Sequence, residues 1–161
     1  MNKEKSISHT LFSLVCIVIF LTSGNAHGRI FNTNDNTATP NDSIFCGTIY
    51  NEEEELFIHM DFVNQAITIP GQDIYGEMAG YLRTKYDSRQ WMIVSAEIDK
   101  KHRTATLEVI NDYGSEDLTA TLVYNPKDSS YTFRQSQGTI IKFAKNRKWH
   151  KIPKEMTFKR K

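Results

Sequence analysis

The chain has 161 residues, 20 Lys and Arg against 19 Asp and Glu, and a formal net charge of +1 at pH 7. That balance excludes the basic composition of a dedicated nucleic-acid binder, and two cysteines exclude a scaffold built on disulfides. The length suits one domain around one core.

The N-terminus reads "MNKEKSISHTLFSLVCIVIFLTSGNAHG". Lys3 and Lys5 give a positive start, and residues 11–21 form an apolar run shorter than the roughly 20 residues that span a bilayer. Gly24 and Ala26 then provide the small residues of a cleavage site. Residues 1–26 are therefore expected to be a signal peptide, and the protein to be exported, periplasmic or secreted. Cys16 sits inside the run behind Val15, not at its end behind a small residue, so no lipid or stable membrane anchor is expected. Cleavage leaves Cys46 alone, and no internal disulfide is possible. Its apolar setting, "SIFCGTIY", predicts a buried, inert thiol. Residues 27–42, rich in Asn and Thr, read as a flexible polar leader.

Residues 43–161 read as one domain of successive strands. "LFIHMDF" places Leu56, Ile58, Met60 and Phe62 on one face. "MIVSAEI" places Met92, Val94, Ala96 and Ile98 together, "TATLEVI" Ala105, Leu107 and Val109, and "LTATLVY" Leu118, Ala120, Leu122 and Tyr124. Tyr131 and Phe133, Ile141 and Phe143, and Met156 and Phe158 continue the pattern. "QDIYGEMAGYL" has room for one helical turn. Short connections such as "DKKHR" and "NPKDSS" favour antiparallel neighbours, and "SQG" reads as a tight hairpin. The expected fold is all-β: an antiparallel meander of about eight to ten strands, closed or curled into a small lipocalin-like barrel, because closure removes exposed edges. The last strand is then expected to pair with "SIFCGTIY".

"NDYGSED" lies between two of these strands and reads as a turn, with Gly114 at a positive-φ position. It is shorter than a calcium loop of about twelve residues, and Glu116 and Asp117 would point to opposite faces. His59 shares a face with Asp61, but two residues are fewer than a zinc site requires. No catalytic residue, metal or cofactor is assigned, and a non-enzyme is the expectation.

Charge is uneven: nine Lys or Arg and one acid fall in residues 139–161, against fifteen acids and eight bases in residues 43–138. Glu52, Glu53, Glu54 and Glu55 form an acidic run suited to a basic partner. Trp149, within "KNRKWHKIPK", can stack or meet an anionic surface. Two functions from different classes fit. One is a barrel holding a small apolar or amphipathic ligand, lined by Tyr124, Tyr131 and Phe133. The other is an inhibitor or immunity-type protein that blocks a periplasmic hydrolase or toxin, meeting it through the exposed acidic run, the charged "NDYGSED" loop and Trp149. Nucleic acid is not an expected partner.

The signal peptide, polar leader, Lys- and Asn-rich turns and closing "KIPKEMTFKRK" together resemble the small exported β-barrel proteins of Bacteroidetes, some of them lipocalin-like. Gly47-Thr48-Ile49-Tyr50 stands where a true lipocalin has Gly-x-Trp. The resemblance also implies O-glycosylation at Asp-Ser/Thr followed by an aliphatic residue, and Asp42-Ser43-Ile44 fits, with Ser43 as acceptor. N-terminal sequencing of the exported protein is expected to begin at residue 27, or at 29 if cleavage follows Gly28; recovery of Met1 would exclude cleavage.

Overall fold

The computed structural model describes residues 43–161; the expected signal peptide 1–26 and leader 27–42 lie outside them. Twelve strands follow one another: β1 Cys46–Asn51, β2 Leu56–Asp61, β3 Ile67–Thr68, β4 Glu77–Met78, β5 Gly80–Thr84, β6 Gln90–Asp99, β7 Thr104–Asn111, β8 Asp117–Asn125, β9 Ser130–Gly138, β10 Lys142–Lys145, β11 Lys148–Lys151 and β12 Glu155–Arg160. Short 3-10 turns occupy Ser43–Phe45 and Asp73–Tyr75. Eight strands form a closed antiparallel barrel in the order β1-β2-β5-β6-β7-β8-β9-β12 and back to β1, the small closed barrel the sequence implied. β3–β4 and β10–β11 are two-stranded excursions. The meander places loops 52–55, 85–89 and 112–116 and the β10–β11 excursion at one end, called here the upper end. Loops 100–103 and 126–129 and the first 3-10 turn lie at the lower end. The β3–β4 excursion leaves β2 there and runs along the outside of β6 as far as Gln90, whose Nε2 donates to the Pro70 carbonyl at 2.7 Å.

Alternation turns one side chain in two inward. Ile49, Ile58, Leu82, Ile93, Leu107, Val109, Ala120, Leu122, Phe133 and Phe158 are all completely buried, so not even a water molecule touches them from inside. The interior is a packed core. Outward positions carry Thr106, Glu108, Arg134, Thr157 and Lys159, the reverse of a barrel that faces lipid. Among the described residues no helix is long and apolar enough to cross a membrane.

Three local expectations are corrected. The single face of Met92, Val94, Ala96 and Ile98 is divided by a register shift between Ile93 and Ser95. Ala96 and Ile98 join the main core with Trp91 and Ile93, while Met92 and Val94 pack with Ile69 and Met78 in a second cluster outside the wall. A bulge changes which residues face inward, and simple alternation cannot show it. "SQG" is not a hairpin but the end of β9, where Gly138 (φ +90) lies against β8. A Cβ there would lie 2.4 Å from the Asp117 carbonyl oxygen, so the glycine serves close approach between strands. Cys46 is exposed, because it shares the outward parity of Thr48 and Tyr50 and not that of Ile49 and Asn51. Gly80 is a second close approach, since a Cβ on it would lie 2.3 Å from the His59 carbonyl oxygen of β2.

Closure rests on β1 and β12, which share only two residue pairs, Ile49 with Arg160 and Tyr50 with Lys159. Side chains extend this short seam. Asn51 Nδ2 donates to the Thr157 carbonyl at 2.8 Å. Arg160 Nη2 donates to the carbonyls of Cys46 (2.7 Å) and Ile44 (3.1 Å), and its Nε to the Tyr131 hydroxyl (3.0 Å). Tyr131 in turn donates to the Ile44 carbonyl at 2.7 Å. Stacked Phe45 and Phe62, with ring centroids 6.0 Å apart, lie beneath. Phe158 is the inward anchor of β12, completely buried and edge-on to Phe133 at 6.2 Å. Phe158→Ala should therefore cost about 3–5 kcal/mol, read as a lower urea midpoint. An unchanged midpoint would show that β12 is not part of the core.

Candidate functional site

The upper end is assembled by the β10–β11 hairpin, which folds over the barrel mouth. Gln135 of β9, itself buried, holds both feet of the excursion: its Oε1 accepts the Ile141 N–H at 2.8 Å and its Nε2 donates to the Pro153 carbonyl at 2.9 Å. Asn146 and Arg147, both at positive φ, make the tight turn at its tip. Ile141, Phe143 and Ile152 enter the main core, and Trp91 Nε1 donates to the Lys142 carbonyl at 3.2 Å.

The hairpin then contacts each of the three upper loops through polar side chains. His150 Nε2 lies 2.7 Å from Glu54 Oε2 of the β1–β2 loop. Lys142 Nζ lies 2.7 Å from Glu116 Oε1 of the β7–β8 loop. The Ala144 N–H donates to Asp87 Oδ2 at 2.5 Å, in the β5–β6 loop. Asp87 is buried and also receives Arg89, whose Nε lies 2.9 Å from Oδ1 and 3.1 Å from Oδ2. Burial opposes the charge on Asp87, but the Arg89 side chain and the N–H groups of Ala144 and Arg89 together hold its carboxyl below the usual range. Fixed in this way, the Arg89 guanidinium lies 4.3 Å from the centre of the Trp149 ring, with Lys142 Nζ at 5.2 Å from the same ring.

"NDYGSED" completes the rim as the β7–β8 loop. Asn111 Oδ1 accepts the N–H groups of Ser115 (2.9 Å) and Glu116 (3.3 Å), and Gly114 has φ +65. The turn reading holds, and it presents Tyr113 at 74% exposure, on the same rim as Trp149 at 59%. Burial pushes the neighbouring Asp112 carboxyl up, against the pull of its hydrogen bonds and of Arg89.

The sequence-assigned residues fall into two groups. Glu52, Glu53, Glu54 and Glu55 and the hairpin bearing Trp149 meet at this rim through the Glu54–His150 contact, although 96 residues separate the pair. Tyr124, Tyr131 and Phe133 do not surround an opening. Tyr131 and Phe133 are core residues with no surface left for a ligand, and half-buried Tyr124 packs on Tyr131 with centroids 5.0 Å apart. Ser43 begins the first 3-10 turn, and Asp42 lies outside the described residues. His59 bonds Thr48 at 2.8 Å on the outer wall, and among the described residues no three His, Cys, Asp or Glu are grouped to hold a metal. Sequence reading missed Arg89 and Asp87. The only available signal was "YDSRQ" as a polar turn between strands.

Fold and rim define a closed up-and-down barrel with a packed interior, capped by a hairpin that presents aromatic and arginine side chains. Compared with protein-family models, curated proteins and solved structures, the chain matches none.

Asp87 titrates below its unfolded value, so its stabilisation is complete above about pH 4 and is lost as the pH falls through the lower folded value. Asp87→Asn should cost about 1–3 kcal/mol at neutral pH. The gap between variant and wild type in urea unfolding should narrow from pH 5 towards pH 3. A constant gap would place the contribution in shape and not in charge.

Proposed function

We propose that this protein is a non-catalytic binding barrel that acts through its upper rim on a protein partner, in the manner of an exported inhibitor or immunity-type protein. One observation carries the reading: Trp149 is exposed on top of an arginine that a buried carboxylate holds in place, and exposed Tyr113 lies within electrostatic reach of the same arginine. Trp, Tyr and Arg supply most of the binding energy at protein interfaces, and a group fixed beforehand loses little freedom on binding. The acidic Glu52 and Glu53 and the basic Lys148 stand at the edge, where charge selects and steers a partner. The filled interior favours this reading over a ligand held inside the barrel. Export, and with it a periplasmic or extracellular partner, rests on the N-terminal sequence.

The test is affinity capture with the mature protein from its own periplasm and from neighbouring species, read by mass spectrometry, with wild type and Trp149→Ala in parallel. A partner retained by wild type should be bound roughly thirtyfold more weakly by the variant, the effect of losing about 2 kcal/mol at a hot spot. Equal retention by both proteins, at equal thermal stability, would exclude the rim.

A further inference from the structure

We infer that the outer wall carries a second, separate site, a groove for a small amphipathic anion between the aromatic face of β1–β2 and the basic C-terminal end of β12. The groove has a volume of about 610 Å³ and is lined by Thr48, Tyr50, Phe57, Lys85, Arg160 and Lys161. That volume is within the range of small-molecule clefts, and none of these residues belongs to the rim contacts described above.

Tyr50 and Phe57 are direct cross-strand partners, so their rings stand side by side on the outer face. Lys85 arrives from the β5–β6 loop and Lys161 from the end of β12. Their ammonium groups lie 5.2 and 4.3 Å from the centre of the same Tyr50 ring. Two like charges held against one neutral ring repel each other over a distance comparable to the screening length of about 8 Å at physiological salt. The ring offsets part of that repulsion. The lining contains no acidic side chain, and among the described residues neither lysine forms an ion pair with a carboxylate. An anion seated between the two ammoniums would relieve their repulsion.

The rest of the lining specifies the body attached to that anion. Phe57, edge-on to Tyr81 at 6.1 Å, gives an apolar floor that remains half-buried and open on its outer side. A bare anion would leave this floor wet, and a neutral apolar molecule would leave the lysines unmatched. A sheet face offers side chains and no free backbone edge, so it gives an extended peptide no ladder to join. The chemistry that satisfies both halves is a carboxylate or phosphate head on a short apolar body. The Thr48 hydroxyl, already bonded to His59 Nδ1 at 2.8 Å, borders the groove on its polar side.

The test uses the mature protein and four probes: octanoate, octyl phosphate, acetate, and octyl glucoside below its micellar concentration. Binding is measured by calorimetry and by amide chemical shifts. Octanoate or octyl phosphate should shift the amides of Thr48, Tyr50, Phe57 and Lys85, and the tighter of the two names the head group. Acetate and octyl glucoside should each bind at least tenfold more weakly. Lys161→Glu and Lys85→Glu, both at exposed positions, should each weaken the amphipathic anions at least tenfold without changing the thermal midpoint. Octyl glucoside binding as well as octanoate would show an apolar contact without an anion site. Acetate binding as well would show simple counter-ion attraction. Shifts confined to other strands, or full binding by both charge-reversed variants, would overturn the site.

Discussion

The structure depends on one joint, the pairing of β1 with β12. Every other pair of neighbours in the barrel is consecutive in the meander, and all but β2–β5 and β9–β12 are joined by a short turn. The closing pair brings together the two ends of the domain, so its loop-closure cost falls on the whole domain. Yet its ladder is the shortest of the barrel, at two residue pairs. Arg160 compensates by reaching past the ladder to the Cys46 and Ile44 carbonyls and the Tyr131 hydroxyl. Burial pushes the Tyr131 hydroxyl's pKa up, even against the neighbouring Arg160, so it stays a neutral donor to the Ile44 carbonyl. One side chain thus connects the first turn, the first strand and the ninth to the last.

Closure determines where binding can occur. An eight-stranded barrel is only wide enough for its own side chains or one small ligand, and here Phe133, Phe158, Leu122 and their neighbours fill it. Chemistry is thereby left to the ends and the outer wall. The lower end is closed by the Phe45–Phe62 stack. The upper end is closed by a hairpin tied to three loops through charged or ring-nitrogen contacts, with apolar contacts beneath. Such contacts are directional, so they fix the orientation of Trp149 and Arg89 as well as their position. This division between an apolar interior and a polar rim underlies the proposed interaction role.

Much of the fold could be read in the sequence because strand parity is a local property. Leu56, Ile58 and Met60, or Leu118, Ala120 and Leu122, declare their inward face within a few residues. Parity failed where a non-local fact intervened. The register shift after Ile93 depends on β7, the outward turn of Cys46 depends on the register with β2, and Gly138 is explained only by the strand beside it. The rim was legible in its exposed pieces, the acidic run and Trp149, since charge and a lone tryptophan are visible in composition. Their meeting was not, because Glu54 and His150 are brought together only when the barrel closes. Asp87 was invisible for the same reason: an aspartate in a turn reads as solvated until its partners, Ala144 among them, are known.

The closing seam is tested most directly by backbone proximity in solution. Nuclear Overhauser contacts between Tyr50 and Lys159 and between Ile49 and Arg160 should be present, as the register requires, and the amides of β12 should exchange as slowly as those of β7 and β8. Absence of those contacts, with β1 and β12 exchanging as frayed edge strands, would show an open sheet and would contradict the closed, filled barrel on which the account of the rim depends.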